Sequence, residues 1–280
     1  FQTASRGIAS GRRINEVLAC EPSIKDGSFN ATTSIKGKIE FKNVTFAYPL
    51  TGDKKILDNI NLVIKPGETI GILGETGCGK TSLINLIPRF YDVCEGSVLV
   101  DDIDVREYNL KNLRERISVA LQKSEIFQST IKENIQWGRE NATNNDIANA
   151  ASIAQAMEFI STSTDGFDTL VTQQGTSLSG GQKQRIAISR TILKQAEIII
   201  FDDATSALDL KTEANLYSML KNAYPDTTKI IIAQRIASVK DADRIVILDD
   251  GHISAVGTHE ELLKNSAIYQ DIYNSQLNKK

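Results

Sequence analysis

Short apolar runs alternate with amphipathic stretches along the chain from Gly37 onward. The first run, Ile39–Phe46, alternates apolar and polar residues, whereas the later runs are mostly apolar, as in strands buried on both faces. This alternation predicts an α/β fold with a largely parallel sheet. The later predicted strands are Ile60–Ile64, Thr69–Leu73, Ile117–Leu121, Ile198–Phe201, Ile230–Ala233 and Ile245–Leu248, and the predicted helices between strands are Lys80–Ile87, Gln182–Leu193 and Lys211–Leu220.

The stretch between Ile126 and Ser177 has no strand pattern. Its apolar spacing predicts helices at Ile131–Trp137 and Asp146–Ile160. We therefore expect an inserted all-helical subdomain at about 125–195, which would form a second lobe on the α/β core.

Residues 1–36 differ from the rest of the chain. Apolar residues between Phe1 and Leu18, with Arg6, Arg12 and Arg13 among them, predict a broken amphipathic helix. A polar stretch from Pro22 to Ser34 then predicts a linker, although an edge helix of the same domain is an alternative. The chain has no signal-peptide pattern and no methionine at position 1, so we expect a piece of a larger protein.

Composition and charge narrow the class of protein to which the chain can belong. Hydrophobic residues make up 41% and charged residues 24%, which is ordinary for a globular chain and excludes disordered and collagen-like proteins. A net charge of −3 gives no reason to expect a nucleic-acid partner. The three cysteines have no metal-binding spacing and cannot all pair, which fits a reducing compartment. No apolar run approaches the roughly 18 residues of a membrane span.

A phosphate-binding loop is the sharpest local motif. The sequence G-x-x-x-x-G-K-[ST] lies between a predicted strand and a predicted helix, where backbone N–H groups can converge on phosphate oxygens. Its lysine would meet the β- and γ-phosphates, and its threonine hydroxyl would ligate Mg²⁺. The candidate binding residues are Gly74, Glu75, Thr76, Gly77, Cys78, Gly79, Lys80, Thr81 and the adjacent Ser82.

Two further segments fit this chemistry. Asp202 ends an apolar run, so a buried strand would deliver its carboxylate to the sheet edge as an Mg²⁺ ligand. Leu178–Gln182 comes just before a helix, where Ser179, Gly180, Gly181 and Gln182 could bind an anion. One nucleotide does not need two such sites, so the second would serve another nucleotide across a dimer interface. A capped helix start is the plain alternative.

Together these segments resemble the nucleotide-binding domain of an ABC transporter, from Gly37 to about Gln276. Leu178–Gln182 matches the signature sequence that separates this family from other P-loop ATPases. The resemblance implies an antiparallel β-subdomain beside the P-loop core, with ATP and Mg²⁺ as cofactors.

Three more positions match family motifs in family order. Tyr48 matches the aromatic residue that stacks on adenine, although a core tyrosine fits the spacing equally well. Gln122 matches the Q-loop glutamine, which contacts Mg²⁺ and water and senses the membrane domain. Asp209 ends the segment Ser206–Asp209, which matches the D-loop that crosses the dimer interface.

The exporter branch of the family gives the best match. It implies that residues 1–36 are the end of a transmembrane-domain helix and a linker, and that residues 37–280 are the nucleotide-binding domain. The implied partners are the protein's own transmembrane domain and a second half-transporter in a head-to-tail dimer, at the cytoplasmic face of the plasma membrane. Gly251–Leu262 also resembles exporter domains. Gln173-Gln174-Gly175 replaces the common Glu-Arg-Gly, so a charged coupling contact is expected to be missing.

Two departures affect the expected catalytic residues. Asp203 stands where most active members have the glutamate that polarises water, and Gln234 replaces the histidine that touches the γ-phosphate. A carboxylate displaced by about 1 Å can cost roughly 10²-fold where positioning governs the rate. With Gln122 as the third catalytic candidate, the pattern resembles the hydrolytically impaired half of a heterodimeric exporter. A fully active homodimer, a non-transport ABC ATPase and a regulatory module without turnover are the alternatives.

Cys78 lies inside the loop and next to a helix N-terminus, an environment that lowers the pKa of a thiol. We therefore expect thiol reagents to block nucleotide binding and MgATP to protect Cys78. The alternative is that Cys78 is only a small side chain at a variable position of the loop, without a chemical role.

Overall fold

A six-stranded sheet forms the centre of the computed structural model, which describes residues 2–32, 34–49, 52, 54–123, 125–172 and 175–277. The strands are β3 (Thr69–Leu73), β6 (Ile117–Ala120), β7 (Ile198–Asp202), β8 (Thr228–Ile232), β9 (Arg244–Asp249) and β10 (His252–Gly257). Their order in the sheet is β10-β9-β3-β8-β7-β6. The last five strands of this order run parallel, and β10 pairs antiparallel with β9 at the edge.

A second, antiparallel sheet packs beside the first. Its strands are β1 (Ile39–Phe46), β2 (Leu57–Ile64), β4 (Glu95–Val100) and β5 (Ile103–Asp104), in the order β2-β1-β4-β5. Phe41 and Ile39 of this sheet share one core with Ile70 and Ile200 of the parallel sheet and with α2 (Lys80–Asn85). The helix α3 (Leu110–Glu115) follows β5.

Helices make up the segment between β6 and β7. They are α4 (Ile131–Gln136), α5 (Asn144–Ile153), α6 (Met157–Thr162) and α7 (Gly180–Leu193). Reciprocal capping boxes start α4, α5 and α7, where a Thr or Ser hydroxyl accepts a backbone N–H and a side chain three residues on returns a hydrogen bond. The fold class predicted from the sequence is thereby confirmed: a mostly parallel sheet, an antiparallel sheet and an inserted helical group.

The predicted single helix Asp146–Ile160 is wrong in one respect, because the structure divides it. The interruption falls at Ala154–Ala156, where Gln155 has φ +58, a left-handed conformation that a helix cannot contain. The C-terminal part adds α8 (Leu210–Ala223), α9 (His259–Asn265) and α10 (Ala267–Leu277).

The N-terminal segment begins with α1 (Gln2–Leu18), which is one continuous helix rather than the broken helix predicted. Its residues from Arg6 to Leu18 are exposed. The polar stretch after α1 is hydrogen-bonded to the segment that follows β5. Gly27 N–H donates to Tyr108 C=O at 3.0 Å, and Phe29 N–H donates to Glu107 C=O at 2.8 Å. Among the described residues, none of the helices combines the length and apolar character needed to cross a bilayer.

Candidate functional site: a phosphate loop beside paired carboxylates

The loop from Gly74 to Gly79 connects β3 to α2 and turns tightly against its neighbours. Gly79 has φ +104, and a Cβ there would lie 2.8 Å from Leu57 Cδ2. A Cβ on Gly74 would lie 2.1 Å from the carbonyl oxygen of Leu248. Only glycine fits these positions without moving the backbone. Lys80 Nζ donates to the carbonyl oxygens of Gly74 at 2.8 Å and Glu75 at 2.7 Å, so the ammonium group lies over the loop.

Thr81 and Asp202 meet at one end of this loop. The Thr81 hydroxyl lies 3.1 Å from both carboxylate oxygens of Asp202, which is the last residue of β7. Asp202 is only 5% exposed, and burial raises the pKa of its carboxyl above the ordinary range.

Asp203 turns away from Asp202 toward two amides. Its φ of +50 bends the chain sharply after β7. Gln122 Nε2, just after β6, and Gln234 Nε2, just after β8, each donate to the same oxygen, Asp203 Oδ2, at 3.0 Å. Burial raises the pKa of Asp203, and the two amide donors oppose that rise. The carboxyl ends of three neighbouring parallel strands therefore bring these side chains together.

A cleft of about 320 Å³ is lined by Tyr48, by most of the candidate phosphate-loop residues and by the candidates at the strand ends, whereas Gly74, Glu75 and Cys78 do not line it. Tyr48 stands at its wall, where its hydroxyl lies 2.9 Å from Ser82 Oγ and its ring packs edge-on against Phe46 and Tyr91. The residues that line the cleft are Tyr48, Ile56, Thr76, Gly77, Gly79, Lys80, Thr81, Ser82, Gln122, Asp202, Asp203, Ile232 and Gln234.

The second candidate anion-binding segment, Leu178–Gln182, lies away from the phosphate loop. Ser179, Gly180, Gly181 and Asp209 line a separate cleft of about 420 Å³, which shares none of its described lining residues with the first. Ser179 Oγ accepts the Gln182 N–H at 3.3 Å, and Gln182 Oε1 accepts the Ser179 N–H at 2.8 Å. The structure thus does not bring this segment to the phosphate loop of the same chain.

The segment that matches the D-loop, Ser206–Asp209, is hydrogen-bonded to the helix that follows the Leu178–Gln182 segment. Gln184 on α7 donates to Ser206 Oγ at 3.1 Å and accepts the Ala207 N–H at 2.9 Å. Asp209 caps α8 by accepting the N–H groups of Lys211 and Thr212. The two segments therefore form one surface.

Comparison with known proteins decides the family. The sequence profile described as "ABC transporter" matches residues 57–206, more than half of the chain. The chain belongs to the ABC transporter family. Over 275 residues it is 42% identical to an ATP-dependent lipid A-core flippase of Desulfotalea psychrophila, covering 98% of this chain and 48% of that protein. Over 272 residues it is 43% identical to an uncharacterized ABC transporter ATP-binding protein, YfiB, of Bacillus subtilis, covering 97% of this chain and 47% of that protein.

A solved structure agrees with this assignment. The structure of a bacterial Atm1-family ABC exporter with ATP bound superposes with a TM-score of 0.93 at 33% identity, over 98% of this chain and 48% of that one. The chain thus spans about half the length of the relatives it matches.

The oxygen atoms of this ABC transporter domain fit Mg²⁺. Thr81 and Asp202 present one hydroxyl and two carboxylate oxygens side by side, which are the hard ligands that this ion prefers. A nearby cation would also favour the charged form of Asp202, whose pKa burial now raises.

The lowered thiol pKa expected for Cys78 is not what the structure gives, whereas its protection by MgATP stays a prediction. Its side chain is 7% exposed and packs in the core between the two sheets, and burial raises the pKa of its thiol. Lys80, whose Nζ lies 3.7 Å from Sγ, opposes the rise without reversing it. Proximity to a helix N-terminus is therefore outweighed by loss of solvation. Cys20 and Cys94 are exposed and free.

Two site features have no sequence signal. The Arg235 guanidinium, next to Gln234, donates to the carbonyl oxygens of Thr205 and Leu208 and pairs with the buried Glu213 at 3.4 Å. Gln276 in α10 bonds to the backbone on both sides of Arg235. Both features depend on contacts between residues that lie more than twenty positions apart in the sequence, so local sequence patterns do not reveal them. Gln173 and Gln174, the predicted coupling departure, lie outside the described residues.

Proposed function

We propose that this chain is the ATP-binding domain of an exporter, and that the ATP site built on its own phosphate loop binds MgATP but hydrolyses it slowly. One observation carries the second part. The carboxylate that would polarise water belongs to an aspartate, Asp203, and both available amides, from Gln122 and Gln234, hold the same oxygen at 3.0 Å.

Nucleotide binding requires groups that are all present. Tyr48 would stack on adenine, and the loop from Gly74 to Gly79, including Glu75, Thr76, Gly77 and Cys78, would surround the phosphates with backbone N–H groups. Lys80 would leave the carbonyl oxygens that it now contacts for the β- and γ-phosphates. Ser82 would support this set through its contact with the Tyr48 hydroxyl.

Thr81, Gln122 and Asp202 would hold Mg²⁺. The ion supplies neutralisation of the phosphate charge when it is bound. Asp202 is suited to this role because it is buried and already oriented by the Thr81 hydroxyl.

Hydrolysis is slow in this proposal for three reasons. The Asp203 side chain is one methylene shorter than glutamate, so its carboxylate stands about 1 Å or more from the position where a glutamate would orient water. Two amide donors on Oδ2 also oppose the rise in the Asp203 pKa that burial causes, so the carboxylate is a weaker base than burial alone would make it. Gln234 can donate a hydrogen bond but has no charge with which to stabilise the γ-phosphate.

The exposed surface formed by Ser179–Gln182 and Asp209 would complete the site of a second subunit. We infer a head-to-tail dimer with a second half-transporter, because this surface lies away from the chain's own phosphate loop. Residues 1–36 would be the transmembrane-domain end and linker, and residues 37–280 the nucleotide-binding domain, at the cytoplasmic face of the membrane.

Binding and turnover of the purified 280-residue chain test the proposal. We expect saturable MgATP binding, its loss in Lys80→Ala, and phosphate release at least about tenfold slower than for the matching domain of a lipid A-core flippase assayed in parallel. Turnover equal to that domain would support a fully active homodimer instead. Absence of binding would overturn the proposal entirely.

A further inference from the structure

The C-terminal helix contacts the backbone of the segment that carries Gln234. We call residues 233–239 the switch segment. The Gln276 side chain in α10 accepts the Ile236 N–H at 2.9 Å and donates to the carbonyl oxygen of Gln234 at 2.8 Å. One carboxamide therefore makes both of its hydrogen bonds to the switch segment and spans Arg235.

The helix that carries Gln276 is firmly attached to the domain. Tyr269 is fully buried in the core, and its hydroxyl lies 2.6 Å from His259 Nδ1 of α9. Ile272 and Tyr273 pack against the same core. Gln270 donates to the carbonyl oxygen of Leu263 at 2.7 Å, which ties α10 to α9. Gln276 is thus presented from a helix that packs on the core and is hydrogen-bonded to α9.

The opposite side of the switch segment is also held. Arg235 donates to the carbonyl oxygens of Thr205 and Leu208, at 3.1 and 3.2 Å, and pairs with the buried Glu213 of α8. The Gln234 side chain itself is exposed in the cleft and reaches Asp203 from this fixed backbone. Its direction consequently depends on contacts from two sides, and Gln276 supplies those from α10.

We propose that Gln276 is a positioning residue for the nucleotide site: it fixes the backbone on both sides of Arg235 so that the Gln234 side chain faces the cleft. The nucleotide part of this inference rests on the proposed function. Since Gln276 does not line the described cleft, it acts through Gln234. Its loss should therefore weaken binding of a nucleoside triphosphate and leave that of the diphosphate unchanged.

The first experiment needs no nucleotide. In the 280-residue chain, Gln276→Leu keeps the side-chain size but removes both hydrogen bonds. We expect the Ile236 amide to exchange with solvent about tenfold faster in this variant. The matched control is Gln270→Leu, which removes a comparable bond on the same helix and should leave Ile236 exchange unchanged. Unchanged exchange in Gln276→Leu would overturn the positioning role.

The second experiment compares affinities for MgADP and for the magnesium complex of a non-hydrolysable ATP analogue. We expect Gln276→Leu to lower the triphosphate-to-diphosphate affinity ratio about three- to tenfold, with no change in MgADP affinity. Combined with Gln234→Ala, it should add nothing to the effect of Gln234→Ala alone, because both act through one side chain. Equal loss of both nucleotides, or additive effects, would contradict the inference.

A replacement variant and the nucleotide-free experiment keep a failure of the Gln276 inference distinguishable from a failure of the proposed function. If Gln276→Leu fails to fold, Gln276→Glu replaces it: the carboxylate still accepts the Ile236 N–H but opposes the Gln234 carbonyl oxygen, so the affinity ratio should fall while Ile236 exchange stays near that of the unmodified chain. If the unmodified chain binds neither nucleotide, the proposed function fails, and the exchange experiment alone decides whether Gln276 holds the switch segment.

Discussion

Restoring hydrolysis should require two changes rather than one. In Asp203→Glu the carboxylate advances by about 1 Å or more. It then meets the Gln122 and Gln234 amides, which already lie 3.0 Å from the shorter side chain. The longer side chain must fold back or displace one amide, and a hydrogen bond to a charged group is worth about 1.5–3 kcal/mol. We expect Asp203→Glu alone to raise turnover by less than about tenfold.

Adding Gln234→His removes one competing amide and supplies an imidazole toward the γ-phosphate. We expect the double variant to approach a gain of about 10²-fold, which corresponds to a barrier lowered by about 2.7 kcal/mol. The assay is phosphate release at saturating MgATP, with the nucleotide dissociation constant measured for each variant so that all variants are compared at saturation.

Asp203→Asn combined with Gln234→His is the matched control, because it contains the second change without a base. This control should remain as slow as the unmodified chain. Full activity in Asp203→Glu alone would refute the two-defect account, as would a double variant without any gain. An equally fast Asn control would show that Asp203 takes no part.

Thiol labelling followed by mass spectrometry should be slower at Cys78 than at the exposed Cys94, because burial raises the pKa of the Cys78 thiol, and slower still with MgATP, because bound nucleotide would cover the loop; equal rates at the two cysteines would contradict the buried environment. Burial lowers the pKa of Lys229 to about 8, so its charge costs stability below that pH and the cost disappears toward pH 10.5. Because Lys229 Nζ also donates to the carbonyl oxygens of Tyr224 and Thr227, the test is the pH dependence: between pH 7 and pH 10 the free energy of unfolding in urea should rise by about 1–3 kcal/mol more in the unmodified chain than in Lys229→Met; a constant difference would exclude this cause. Arg235→Met leaves the buried Glu213 without its counter-ion and should cost about 3 kcal/mol, most of which Arg235→Met/Glu213→Met should recover; equal losses in the single and double variants would show that the pair does not matter.

The central strands were predictable because burial on both faces leaves a strong apolar signature. Thr69–Leu73 matches β3 residue for residue, and β7 differs from Ile198–Phe201 only by including Asp202. Strands that contain exposed residues lack that signature. In β10, exposed and partly buried residues alternate, and β4 begins with exposed residues, so neither strand was predicted.

The candidate site likewise contains residues that local sequence motifs predict and others that they do not. The phosphate loop and Asp202 are local signals, and the structure brings both to the cleft. Cys78 was judged from its neighbours in sequence, whereas its thiol responds to the core around it. Gln276 lies 42 residues from Gln234 along the chain, on a helix that carries no motif, so only the folded structure reveals its contact.

The geometry at the end of β7 explains why binding and cleavage could be lost separately. Asp202 and Asp203 are adjacent, but the left-handed backbone at Asp203 directs the first carboxylate to Thr81 and the second to the glutamines. In the proposed function, the groups that bind MgATP come mainly from the phosphate loop and β7, which the buried core holds rigidly. The groups that orient water follow β6, β7 and β8 as exposed or half-buried side chains. Substitution at these ends alters the position of water without disturbing the phosphate loop, so a chain can keep its affinity for nucleotide while its turnover falls.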